Sequence, residues 1–257
     1  MLTSAEPEFH DRKTCRFGDF TIDCLGRQEL VDLCLTDIGR ALPAPKLVMD
    51  VNGHGLSLAR TDLAFRDTVK QADIIHADGG FIVSLSQRMC ENTIPERSAT
   101  TDMIHDFAAR FADTGHSFYL LGATEEVNAQ CTDKLRETYP GLNIVGRRNG
   151  YFDAADEDAI IDEINRLKPD VIWLGLGKPK EQEVALRWRE RLQGTAWIIT
   201  CGGCFNYVTG HYARAPQWMQ DANIEWVHRL LTNPRKLFWR YAVTSPHALW
   251  IAFTDHA

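Results

Sequence analysis

The chain has 257 residues, a net charge of −7 from 28 basic and 35 acidic side chains, and a 44% hydrophobic composition. That length builds a sizeable α/β core, and the acidic balance argues against a nucleic-acid-binding domain, whose footprint is basic. Met1-Leu2-Thr3-Ser4-Ala5-Glu6 lacks a charged-then-apolar signal pattern, and no apolar run approaches the roughly 20 residues needed to cross a bilayer, so a cytoplasmic or peripheral protein is expected.

In chain order, residues 1–14 are polar and read as frayed, and residues 17–25 alternate apolar and polar side chains as a half-buried strand does. Residues 27–42 place Leu30, Val31, Leu33, Cys34, Ile38 and Leu42 near helical spacing, until Pro43-Ala44-Pro45 breaks the pattern. A strand over 46–51 runs into Asn52-Gly53-His54-Gly55 and a helix over 56–69. A short strand over 73–76 is followed by Ala77-Asp78-Gly79-Gly80 and a second helix. A loop over 90–99 carries Pro95-Glu96-Arg97, and Thr101-Asp102 caps the next helix. A second cycle has strands over 117–122, 142–145, 170–175 and 196–200, with helices over 124–139, 153–167 and 179–192. Strands alternating with helical stretches predict an α/β fold, a Rossmann-like parallel sheet with helices on both faces.

From Tyr212 the texture changes to short helical stretches around Pro234 and Pro246. From Glu225 onward four Lys/Arg stand against two acids, among Trp226, Phe238, Trp239, Tyr241 and Trp250. The organisation expected is a frayed N-terminus over 1–16, a core over 17–210 and a basic, aromatic, helical C-terminal appendage over 211–257. The seven cysteines are odd in number and scattered, which suits reduced core thiols. Cys201-x-x-Cys204 has no second pair at zinc spacing and sits in a glycine-rich stretch, so it reads as small packing residues.

Open α/β sheets bind ligands at the carboxyl edge of their strands. Three strand ends there carry glycine before a helix: Gly53-His54-Gly55, Gly122-Ala123-Thr124 and Gly175-Leu176-Gly177-Lys178. Each could turn backbone N–H groups toward a phosphate, although none completes G-x-G-x-x-G or a phosphate loop. Lys178 could meet that phosphate and Gln182 could face it one turn into the helix, with a solvated helix start as the alternative. Arg97 has the planar fork of a diphosphate clamp. Asp78, a strand-end acid before two glycines, reads alone as a helix cap. His54 and His76 flank the same rim and read as structural. With no D-x-D at a strand end, a metal-dependent site is not expected, and no cofactor is implied.

Taken together, these pieces resemble the WecG/TagA/CpsF glycosyltransferase family, glycosyltransferase family 26. The resemblance rests on Asn52, on Ala77-Asp78-Gly79 at a spacing of 26, on Glu96-Arg97 with Asp102, on Tyr119-Leu120-Leu121-Gly122, and on Gly175-Leu176-Gly177 with Pro179-Lys180. It continues through Arg214-Ala215-Pro216, Glu225-Trp226, Arg229, Pro234 and Arg240-Tyr241, spanning about residues 17–241. It implies inverting transfer of a hexose or N-acetylhexosamine-type sugar from a UDP-sugar to a polyprenyl-diphosphate-linked saccharide, for bacterial surface polysaccharide. Asp78 matches the general base and Asn52 stands beside it. Arg97 and Gln182 match substrate-binding positions, while Arg214, Arg229, Arg235 and Arg240 would close over the diphosphate and help dock a peripheral protein on the cytoplasmic face of the inner membrane.

Two departures stand out. The family often reads Pro-Lys-Gln-Glu where this chain has Pro179-Lys180-Glu181-Gln182, and Asp50 occupies a position where it often has threonine. A second acid beside Asp78 could raise one carboxylate's pKa or hold a sugar hydroxyl. A homo-oligomer is left open. The rival readings are an NAD-type oxidoreductase, against which the missing G-x-G-x-x-G counts, and a non-catalytic nucleotide-binding assembly subunit.

Overall fold

β-Branched and aromatic residues in short runs form the strands, and their period-two alternation sends successive side chains to opposite faces. The computed structural model describes residues 12–40, 42–221, 225–232, 244, 246–248, 250–251 and 254, without the side chains of Asp221 and Arg229. Six strands form one sheet: β3 (Lys46–Val51), β4 (Ile74–Ala77), β5 (Ser117–Gly122), β6 (Asn143–Arg148), β7 (Val171–Gly175) and β8 (Trp197–Thr200). Their spatial order is β4-β3-β8-β7-β5-β6, and every neighbouring pair is parallel. Along β7, Val171 and Trp173 enter one apolar core while Ile172 and Leu174 enter the other, so both faces are covered, as a parallel sheet requires.

The helices on one face are α1 (Arg27–Ile38), α5 (Thr100–Thr114), α6 (Glu125–Thr138) and α9 (Cys204–Thr209). Phe107 and Phe118 there meet Trp173 edge-on. The other face carries α2 (Gly53–Thr61), α3 (Leu63–Val69), α4 (Gly80–Met89), α7 (Glu157–Leu167) and α8 (Lys180–Trp188). Two short helices, α10 (Gln217–Asp221) and α11 (Glu225–Thr232), begin the C-terminal appendage. The Rossmann-like architecture expected from the alternation is therefore observed.

Several boundaries differ from the sequence reading for local reasons. The strand expected over 17–25 is an antiparallel hairpin, β1 (Thr14–Phe17) and β2 (Phe20–Asp23), because Gly18 turns the chain at φ +57°. The hairpin buries Phe17, Phe20 and Ile22, and Asp23 accepts a hydrogen bond from the Ile75 N–H at 2.9 Å. That bond engages a backbone donor of the edge strand β4. The helix expected over 56–69 is two helices, since Asp62 leaves the helical region and caps α3 through the Phe65 N–H at 2.9 Å. Residues 1–11 lie outside the described chain, whereas Thr14 already belongs to β1.

The expectation of reduced thiols throughout is corrected at one pair: Cys15 and Cys90 form a disulfide that ties β1 to the end of α4. Cys24, Cys34, Cys131, Cys201 and Cys204 are free. Burial raises the pKa of Cys201, and Cys204 donates its S–H to the Thr100 carbonyl at 3.4 Å. Both are buried thiols that fill space between α9 and α5.

Candidate active site

β3 and β4 lie side by side in register, Asp50 opposite His76 and Val51 opposite Ala77. The next residues, Asn52 and Asp78, consequently emerge together at the carboxyl edge, and the Asp78 N–H still bonds the Val51 carbonyl at 3.0 Å. Asn52 caps α2, accepting from the Gly55 N–H at 3.1 Å. That bond commits its Oδ1 to the helix and leaves Nδ2 facing two acids. Nδ2 donates to Asp78 Oδ2 at 3.2 Å and to Asp50 Oδ2 at 3.3 Å.

Asp78 does not cap the helix it precedes: Gly79 is the N-cap of α4, with no side-chain cap. Its Oδ1 instead accepts the N–H of Thr100, the first residue of α5, at 3.3 Å. The positive end of a 15-residue helix thus faces this half-buried carboxylate. Close approach favours glycine at position 79, because a Cβ would stand 3.3 Å from both Cα and Cβ of Asn52.

Lys178 reaches across from the turn after β7 and donates to Asp50 Oδ2. Burial works against its charge, but Asp50, Glu181 and Asp78 more than offset it and hold the ammonium above its ordinary pKa. His76 is buried on β4 with Nδ1 3.0 Å from Ser98 Oγ. The Ser98 hydroxyl donates to the Ala77 carbonyl at 3.1 Å, so the His76 proton sits on Nδ1. Burial lowers its pKa and the ring is neutral.

The turn after β7 is organised by a residue to which the sequence reading assigned no role. Glu181, in the first turn of α8, is fully buried. Its Oε2 accepts the N–H groups of Leu176 at 3.2 Å, Gly177 at 2.9 Å and Gly202 at 2.9 Å. Burial pushes its pKa up to about 7, with Asp50 adding to the rise, while Lys178 and the N–H donors oppose it. The available signal was an acid in the first turn of a helix after a glycine pair, a position that can reach back to free N–H groups.

Gln182 is buried next to it, donating from Nε2 to Glu181 Oε1 at 3.3 Å, with no hydrogen-bond partner for its own Oε1. In each of the three turns at least one backbone donor expected to face a phosphate is engaged within the protein. Gly55 bonds Asn52, Ala123 bonds the Gly175 carbonyl at 3.2 Å, and Gly177 bonds Glu181. Gly122 and Gly175 are accounted for by backbone packing between strand ends. At Gly122 a Cβ would lie 2.3 Å from the Gly175 carbonyl oxygen, and at Gly175 one would lie 2.9 Å from that of Gly202.

A line of alternating charge runs from the rim to the appendage. Arg97 donates to Glu225 Oε2 at 2.7 Å and to Asp102 Oδ2 at 3.2 Å. Arg214 pairs with Asp102 Oδ1 at 2.8 Å and donates to Gln220 Oε1 at 2.6 Å. Burial works against the charge of Arg97, but Glu225, Asp78 and Asp102 more than offset it and raise its pKa. The pairing of Glu225 with Arg97, 128 residues apart, carries no local sequence signal. Asp50, Asn52, Asp78 and Lys178 are brought into one bonded cluster, and Arg97, Asp102 and Arg214 into a second. The Arg229 side chain, Arg235 and Arg240 lie outside the described residues.

A half-exposed carboxylate at the sheet edge, backed by an amide and a helix N-terminus and within the field of Arg97, can accept a proton beside an anionic ligand. Among the described residues no helix is long and apolar enough to cross a membrane. Residues 15–257 match the model of the Glycosyl transferase WecG/TagA/CpsF family, which takes in both clusters and the appendage, and the chain belongs to that glycosyltransferase family.

Proposed function

We propose that this glycosyltransferase moves a hexose or N-acetylhexosamine-type sugar from a UDP-sugar to a polyprenyl-diphosphate-linked saccharide, with inversion, in bacterial surface or exopolysaccharide synthesis. The observation that carries the reading is Asp78, half-buried at the carboxyl edge, its carboxylate oriented by the Asn52 amide and the Thr100 N–H. In the reaction the acceptor hydroxyl oxygen attacks the anomeric carbon from the face opposite UDP. Asp78 takes the hydroxyl proton as that bond forms, and the bond to UDP breaks with its electron pair leaving on the diphosphate. A positioned base of this kind contributes about 10²–10⁴-fold. Arg97 and Arg214, and Arg229, Arg235 and Arg240 beyond them, supply positive charge for the leaving diphosphate.

The acceptor resides in a membrane, and the appendage supports a visit to one. Trp218, Trp226, Leu231 and Trp250 are exposed large apolar side chains in a locally basic segment, the pattern of an interfacial anchor. The protein then works as a peripheral enzyme on the cytoplasmic face of the inner membrane. The test is a UDP-release screen across UDP-sugars with a lipid-diphosphate acceptor and GDP-sugars as controls. Release from one UDP-sugar, lost in Asp78→Asn while UDP still binds, is expected, and unchanged turnover in that variant refutes the base assignment. Deleting residues 211–257 should weaken liposome sedimentation and turnover together, and sedimentation that persists in the truncated protein refutes the anchor.

A further inference from the structure

Asp50 and Lys178 stand next to the proposed base, yet neither is placed to touch a substrate. The side chain of Lys178 is 9% exposed and that of Asp50 is 6% exposed. One Asp50 oxygen accepts both the Lys178 ammonium and the Asn52 amide, and the same amide donates to Asp78 at 3.2 Å. We infer that Lys178 and Asp50 are positioning residues for Asp78, a buried ion pair that holds the Asn52 amide in place and compensates the second carboxylate, so that Asp78 stays ionised. The inference rests on Asp78 being the base and assigns its neighbours a role other than substrate binding.

The charge arrangement supports such a device. Asp50 and Asp78 bond the same amide nitrogen, and two carboxylates so close favour retaining a proton on one of them. A protonated Asp78 accepts no proton from an acceptor hydroxyl. Among the described residues, the charged or titratable groups that act on this pair include His76 from β4, Arg97 from the loop before α5, and Lys178 and Glu181 at the start of α8. His76 is neutral and bonded to Ser98, and Arg97 is shared between Glu225 and Asp102. Lys178 is bonded directly to Asp50 and is the cation that compensates it. The amide cannot flip to relieve the cluster, because its oxygen is held by the Gly55 N–H.

The decisive measurement is a carboxyl ¹³C NMR titration of the full chain labelled on aspartate, with Asp78 assigned from the signal missing in Asp78→Asn. Lys178→Met should raise the Asp78 midpoint by about one pH unit or more, and adding Asp50→Asn to it should return the midpoint toward wild type. Asp50→Asn alone, which leaves the ammonium unmatched, should lower it, and it keeps the proposal testable if Lys178→Met fails to fold. An Asp78 midpoint unmoved by Lys178→Met, or a rise that the double variant does not reverse, overturns the proposal. With the UDP-sugar found by the release screen, the acid limb of kcat in Lys178→Met should move to higher pH while the donor KM stays unchanged. A rise in KM with the pH limb in place would instead make Lys178 a substrate ligand. Normal turnover in Asp78→Asn would overturn the base assignment alone, since the NMR coupling is read without substrate.

Discussion

Two glycine-bearing turns leave the same edge of the sheet and are used in opposite ways. After β7, Gly175-Leu176-Gly177 turns its N–H groups inward, and the Glu181 carboxylate satisfies those of Leu176 and Gly177 along with Gly202 across the gap from β8. After β4, Asp78 faces the rim and its partners come from elsewhere, the Asn52 amide and the first N–H of α5. One turn is closed by its own helix and serves as structure, and the other leaves a carboxylate accessible. A glycine turn at a ligand-binding edge therefore marks a site only where no nearby side chain of the same chain has already taken its donors.

The contrast can be broken on the functional side first. Asp78→Asn keeps the shape and the Thr100 contact, gives up the bond from the Asn52 amide and removes the base, so turnover should fall by about 10²–10⁴-fold with only a small drop in melting temperature. On the structural side, Glu181→Ala should destabilise the fold by about 3 kcal/mol, because it strands buried N–H donors. Urea unfolding measures that loss, and a stability unchanged from wild type would show that water replaces the carboxylate at no cost.

Glu181 also sets a pH dependence. Its folded pKa, about 7, lies above the ordinary 4.5, so the folded state binds the proton more tightly. The associated stability is complete below the ordinary pKa and is lost as pH rises through about 7. Glu181→Gln should flatten the stability profile between those values, and a profile that keeps its slope assigns the titration to another group.

The glycines sharpen the same comparison with smaller effects. Gly79 has an ordinary φ of −97°, and an added methyl group would press on Asn52 at 3.3 Å. Gly79→Ala should therefore reduce turnover by about tenfold through misplacement of the amide, with little change in stability. Gly177 has φ +80° and open space around its Cβ position. Gly177→Ala should cost about 1 kcal/mol of stability and leave kcat unaltered. If the two variants exchange these signatures, the division of labour between the turns is wrong.

Much of the architecture was legible because its cause is local. Alternating apolar runs and helical spacing marked the six strands of the sheet, and the glycines and proline breaks marked most of the turns. The hairpin at residues 14–23 was missed because the alternation of Phe20, Ile22 and Cys24 was extended back to Phe17 across a turn that depends on the conformation of Gly18. The break at Asp62 was missed because apolar residues on both sides keep one helical period. Asp78 and Asn52 were visible as strand-end polar residues. Their pairing followed from adjacent parallel strands, whose register sets the two ends level.

What the sequence determined by itself was the six strands of the sheet, most of the helices around them, and the acid and amide at one edge, since period and turn chemistry act between near neighbours. Which of those groups bond was decided by tertiary structure alone. Lys178 meets Asp50, Arg97 meets Glu225, and Glu181 bridges two strand ends. Burial makes an unpaired charge costly, and only the order β4-β3-β8-β7-β5-β6 determines which charges are buried together.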